Sequence, residues 1–125
     1  MDFCKKKISL DKFDYIYARF FLHTINENQE YNFFRNCKKI SKKKSLIFLE
    51  FRTTKDTLIK KGKCISKKER IYGHYRRFID VIELKAKLKK LNFKIMYFKV
   101  SIKFAPFKNE KPNICRIIIQ NSFKK

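Results

Sequence analysis

The sequence predicts an α/β fold built on an open sheet flanked by helices, and three observations predict it. Phe13–Ile25 starts as a short β-rich run, Tyr15–Ala18, and then turns polar at its carboxyl end with Arg19 and His23. Open α/β sheets build ligand sites in this way, beyond the carboxyl ends of their strands. Leu46–Leu49 is an unbroken apolar run closed by Glu50, Phe51 and Arg52, the pattern of a strand covered on both faces. The chain then ends on two strand-like segments, Phe93–Ile102 and Ile114–Ile119, joined by a loop holding both prolines. With no helix between them, the final strand is expected to run antiparallel to its neighbours.

Between these strands the punctuation is helical. Asn26 followed three residues later by Gln29 forms a capping box, and Phe33, Phe34, Cys37 and Ile40 recur on one face. That helix should close within Lys39–Lys44, where cations suit the negative end of the dipole. Thr53–Tyr72 is polar, lysine-rich and broken by Gly62, so it reads as a long loop of the functional kind. It leads to His74-Tyr75-Arg76-Arg77-Phe78, the densest polar-aromatic cluster of the chain, with a helix entry carrying solvated arginines as the plainer reading. Asp80 and Glu83 then form a second capping box. Val81, Leu84, Leu88 and Leu91 make a buried seam, and Asn92 is a left-handed stop. The order is strand, helix, strand, loop, helix, strand, strand, with no internal repeat.

Composition bounds the function. The 125 residues are 44% hydrophobic and 16% aromatic, too apolar for disorder and enough for one domain. No run reaches the roughly 18 apolar residues of a membrane span, and the N-terminus lacks the apolar core of a signal peptide, so a cytoplasmic location is expected. Cys4, Cys37, Cys64 and Cys115 are scattered, which indicates neither a zinc site nor a disulfide framework. The net charge of +22 admits two explanations, a solvated lysine surface or a nucleic-acid partner.

The constellation Phe13-Asp14-Tyr15-Ile16-Tyr17-Ala18-Arg19-Phe20 with His23, the run Phe48–Arg52, the cluster His74–Phe78 and the terminal strand pair together resemble the C-terminal half of a class I S-adenosylmethionine-dependent methyltransferase. The resemblance covers nearly the whole chain. It implies a partial Rossmann-like sheet in which Tyr15–Ala18, Leu46–Phe51, Ile114–Ile119 and Phe93–Ile102 lie side by side. In family terms that is the order 4-5-7-6, with the last strand of the chain antiparallel. Residues 1–125 would then form a single partial domain without the family's first three strands. The Gly-rich turn that receives the methionine end of the cofactor is absent, as is the acid that binds the ribose.

The same resemblance assigns roles. Asp2 and Phe3 would meet the adenine, and Ala18 and Arg19 would line the S-adenosylmethionine site. His23 and His74 are the candidate catalytic groups, His23 orienting or deprotonating the acceptor. Glu50, Arg52, Tyr75, Arg76 and Arg77 would hold a small-molecule or glycan-type acceptor, since arginine grips carboxylate or phosphate with two prongs. Each has a plainer reading beside it: His23 packs near the helix, Glu50 and Arg52 pair with neighbours, and the arginines are solvated. The implied function is methyl transfer, weak or absent in this chain alone, with a missing N-terminal half as a possible partner. The alternatives are a basic nucleic-acid-binding module and a non-catalytic remnant.

Overall fold

A computed structural model describes residues 13–19, 21–106 and 110–122. Asp2 and Phe3 lie outside the described residues. Strand β1 (Phe13–Arg19) is followed by a 3-10 turn (Leu22–Thr24), helix α1 (Glu27–Ile40) and strand β2 (Ser41–Arg52). After a second 3-10 turn (Thr57–Lys60) come β3 (Lys63–Cys64), β4 (Glu69–Tyr72), β5 (His74–Arg77), α2 (Val81–Lys90), β6 (Phe93–Ser101) and β7 (Ile114–Asn121). The main sheet has the order β1-β2-β7-β6. β1 and β2 are parallel, and β7 is inserted antiparallel between β2 and β6. This is the sheet order that the family resemblance implies and the strand direction that the sequence predicts.

The core lies on one face of that sheet. Side chains alternate along a strand, so Ile16 and Ala18, Ile47, Leu49 and Phe51, and Cys115, Ile117 and Ile119 point the same way and are buried. Phe33, Phe34, Cys37 and Ile40 of α1 and Leu84 and Leu88 of α2 cover them. The Phe34 ring lies 5.9 Å from Phe93 and 5.2 Å from Phe33, edge-on to both. Neither helix is long and apolar enough to cross a membrane.

Helix α1 starts where the sequence places it. The Asn26 side chain accepts from the Gln29 amide at 2.8 Å, and Gln29 Oε1 accepts from the Asn26 amide at 3.0 Å. Asn26→Ala should cost about 1 kcal/mol, read as a lowered urea midpoint with an unchanged slope. At the other end there is no loop at all. Ser41 caps the helix and begins β2, its hydroxyl donating to the Cys37 carbonyl. Lys38, in the last turn, donates to the Asn92 carbonyl (2.7 Å), Asn121 Oδ1 (2.7 Å) and the Ser122 carbonyl (2.9 Å). It thereby ties α1 to the ends of α2 and β7, and burial lowers its pKa.

Two local expectations need correction. At α2 the Asp80 side chain caps the Ile82 and Glu83 amides at 3.0 and 3.1 Å. Glu83 does not reach back; it accepts from Lys68 at 2.5 Å, so only half the second box forms. Thr53–Tyr72 is not a structureless loop; its second half and His74–Arg77 are strands. They build a second, three-stranded antiparallel sheet, β3-β4-β5. Gly62 (φ +80°) and Gly73 (φ +77°) supply the left-handed turns, and a Cβ at Gly62 would collide with the Ile71 carbonyl oxygen. Lysines and arginines inside such short strands hide the alternation by which a strand is recognised. Asn92 is left-handed (φ 62°) as the sequence predicts.

Candidate functional site

The parallel register of β1 and β2 sets Ala18 opposite Leu49 and Arg19 opposite Glu50. Ala18 faces the helices and is buried. Arg19 and Glu50 therefore share the other face of the sheet, and Arg116 of β7 stands directly across from Glu50. Arg19 Nε donates to Glu50 Oε1 at 3.0 Å and Arg116 Nε to Oε2 at 2.6 Å. The carboxylate side chain is 5% exposed, while the two arginine side chains are about half exposed. One buried negative charge thus carries two outward cations, and Arg116 also lies over the Phe104 ring at 4.2 Å. A hollow of about 410 Å³ opens above this group, floored by Tyr17, Phe48, Tyr97 and Ile118.

On leaving β1 the chain turns sharply, and the 3-10 turn buries Leu22 and His23. His23 Nδ1 accepts from the backbone amide of Arg52 at 3.2 Å, which leaves the ring proton on Nε2. Burial first, then the positive groups of Arg52, Arg76, His74 and Arg77, push its pKa down to about 4. His23 is thus a neutral ring joining the exits of β1 and β2, and its Nδ1 is already engaged. Arg52 spans two carboxylates, Asp56 at 2.6 Å and Glu110 at 3.0 Å. Glu50 and Arg52 do not pair with each other; each serves a separate network.

The strand β5 sorts the polar-aromatic cluster by alternation. Arg77 turns inward with its side chain 3% exposed. It donates to the Ile25 carbonyl at 2.7 Å, the Leu22 carbonyl at 3.2 Å and Glu30 Oε1 at 2.9 Å. Lys87 of α2 donates to the second Glu30 oxygen at 3.2 Å. Tyr75, on the same side, donates to Glu69 Oε2 at 2.5 Å. Its pKa is raised by burial and by that bond, so it is a neutral phenol. Glu69 is correspondingly lowered by the bonds from Tyr75 and Ser66. His74 and Arg76 take the opposite side. His74 is exposed, and Arg76 is half-buried with Nε donating to the Tyr72 carbonyl at 3.2 Å. The structure therefore sets Arg77 beside the turn that holds His23 and puts His74 and Arg76 on the other side of β5.

No family model and no curated protein matches the sequence, but solved structures share the fold. An S-adenosylmethionine-dependent methyltransferase from Methanosarcina mazei matches 95% of this chain with a TM-score of 0.76 at 15% identity. One from Mesorhizobium loti matches 97% with a TM-score of 0.68 at 13% identity. A glycopeptide N-methyltransferase matches 87% with a TM-score of 0.62 at 6% identity. The fold is that of class I S-adenosylmethionine-dependent methyltransferases. The chain spans 65%, 67% and 57% of these three structures respectively.

The described residues do not by themselves fit S-adenosylmethionine. Its ribose diol calls for a carboxylate acceptor, yet every described carboxylate already has a partner. Asp14 pairs with Lys42, Glu27 and Glu83 with Lys68, Glu30 with Arg77, Glu50 with Arg19, and Asp56 and Glu110 with Arg52. Glu69 holds Tyr75, and Asp80 caps α2. Both glycines of the chain lie in the small sheet, so neither lets a cofactor approach the backbone at the β1 exit. The Glu50–Arg116 bond escaped the sequence because its residues are 66 apart; only a strand pairing known in advance would have shown it.

Proposed function

We propose that this chain is the acceptor-side portion of an S-adenosylmethionine-dependent methyltransferase acting on a small-molecule or glycan-type acceptor, weak or inactive alone. The sheet order β1-β2-β7-β6 with its antiparallel insertion, shared with solved methyltransferases, carries the reading. The glycopeptide N-methyltransferase among those structures supports the acceptor class. Arg76 and His74 are the groups free to meet an acceptor from this chain, Arg76 gripping an anionic group and His74 accepting or donating a proton at its ring. Arg77, Tyr75, Arg52, Glu50 and His23 are positioning residues that hold the strands and turns on which those two stand. Asp2 and Phe3 are proposed to approach the adenine, and Ala18 and Arg19 to wall the cofactor side.

Calorimetric titration of the purified chain with S-adenosylmethionine tests the first half of this proposal. No binding is expected at micromolar concentrations, because the ribose and methionine ends lack partners among the described residues. Micromolar affinity would overturn it. In an enzyme completed by the remaining strands, Arg76→Ala should raise the acceptor's KM by about tenfold, the loss of one charge-assisted bond, with cofactor affinity unchanged.

A further inference from the structure

Arg52, at the carboxyl end of β2, ties down two walls of a second cavity. Its guanidinium meets Asp56 at 2.6 Å and Glu110 at 3.0 Å. Asp56 is buried and caps the 3-10 turn Thr57–Lys60, accepting from the Leu58 amide at 3.3 Å. Glu110 belongs to the segment that enters β7, which the Thr53 amide pins through the Asn113 carbonyl at 3.0 Å. The third wall is β4, where Arg70 Nε donates to the Ile59 carbonyl of the same 3-10 turn at 2.8 Å. Between these walls lies a cavity of about 380 Å³, lined by Thr57, Leu58, Lys61, Tyr72, Glu110 and Lys111. It opens beyond the carboxyl end of β2, the edge on which open α/β sheets hold ligands.

Charge and lining say what the cavity takes. Three cations surround it, Lys61, Lys111 and Arg52, against the two carboxylates of Asp56 and Glu110, and Arg52 holds both carboxylates. The surplus positive charge therefore rests on Lys61 and Lys111, which have no acidic partner among the described residues. An ammonium is a compact point charge, so it seats a carboxylate or a phosphate alike. Thr57 adds a hydroxyl, and Tyr72, 45% exposed, adds an apolar ring face with a polar tip. Gly62 backs that tyrosine so closely that a Cβ there would stand 2.7 Å from the Tyr72 Cβ, which fixes the root of the ring. A wholly apolar ligand would bury these polar groups without partners. Tyr72 is also the register partner of His74, so the cavity adjoins the ring proposed to handle the acceptor's proton.

We propose that this cavity binds one unit of an acidic saccharide, with the sugar ring laid on Tyr72 and its carboxylate or phosphate seated on Lys61 and Lys111, beside the part of the acceptor that meets His74 and Arg76. The saccharide class rests on the methyltransferase reading above; the anionic group and its seat rest on the cavity itself.

The test is an NMR titration of the full chain at 0.15 M salt with four probes: methyl glucuronide, methyl glucoside 6-phosphate, neutral methyl glucoside and inorganic phosphate. The acidic sugars should move the amide signals of Leu58, Lys61, Tyr72 and Lys111. They should bind about fivefold more tightly than the neutral sugar, the effect of an exposed ion pair, and the tighter of the two tells carboxylate from phosphate. Inorganic phosphate, with no ring for Tyr72, should bind more weakly than either. Lys61→Ala with Lys111→Ala should erase the preference for acidic sugars, and Tyr72→Ala should weaken acidic and neutral sugars alike. Lys89→Ala with Lys90→Ala, on α2, should change neither. All five side chains are exposed, and thermal melting checks that each variant folds. Acidic sugars that fail to bind, or that bind no better than the neutral one, would overturn the proposal. So would inorganic phosphate binding as tightly as the sugars, or an equal loss in the α2 variant, since either would mark general basicity. None of the probes involves the cofactor. A failure here therefore leaves the methyltransferase reading to the cofactor titration, and a failure of that reading leaves the sugar site standing.

Discussion

Arg77→Ala is expected to lower the unfolding free energy by about 3–5 kcal/mol, the range for removing one partner of a buried ion pair. Arg77 and Glu30 are 3% and 2% exposed. Without the guanidinium, Glu30 keeps only the half-exposed Lys87, and the Leu22 and Ile25 carbonyls lose their donors. Those two carbonyls belong to the turn that leaves β1, so the loss loosens the exit of the strand on which Arg19 sits. Replacing both charges, Arg77→Met with Glu30→Leu, should recover most of the loss, because two apolar groups leave no stranded charge. Urea denaturation of the three proteins measures both effects. An Arg77→Ala protein as stable as the parent would show that water reaches Glu30 and that Arg77 is available to an acceptor. The same experiment separates Arg77 from its neighbour. Arg76→Ala removes a half-exposed side chain and should leave stability within about 0.5 kcal/mol.

What the sequence makes legible here is what local chemistry fixes. The apolar runs of β2 and β7 are long enough to demand burial, and the missing helix before β7 leaves only an antiparallel return. The reciprocal bonds of Asn26 and Gln29 depend on residues three apart. Direction is another matter. His74-Tyr75-Arg76-Arg77 is equally polar along its length, so nothing local says that Arg77 turns inward to a glutamate on α1. Only the conversion of that segment into a strand, itself dependent on Gly62 and Gly73, sorts its side chains into two sides. The tyrosines of β1 show the converse. Tyr15 and Tyr17 belong to a β-rich run whose sequence does not say which side is buried, and alternation sends Ile16 and Ala18 to the helices and the tyrosines to the open face. Their exposure follows from the sheet's having helices on one side, a property of the whole fold.

The second large effect is a pH dependence centred on His23. Its pKa in the folded chain is lowered from 6.5 to about 4, because the ring is buried at 7% exposure and faces Arg52, Arg76, His74 and Arg77. The unfolded chain therefore takes up its proton first as the pH falls below 6.5, and the folded chain follows only near 4. Stability is complete above pH 6.5 and is lost progressively on acidification, with the loss finished below pH 4. Between pH 7 and pH 5 the linkage amounts to about 2 kcal/mol. Glu27 and Glu69, whose pKa values are lowered from 4.5 by their hydrogen bonds, lose their contributions only below that value. The interval from pH 7 to pH 5 is consequently dominated by the histidine. His23→Gln keeps an acceptor within reach of the Arg52 amide and has no proton to gain, so its stability should be nearly flat over the same interval. Urea midpoints of both proteins at the two pH values give the answer. If the parent and His23→Gln lose stability equally, His23 accepts a proton inside the fold. It would then stand in water beside its arginines, with a ring able to serve as a base.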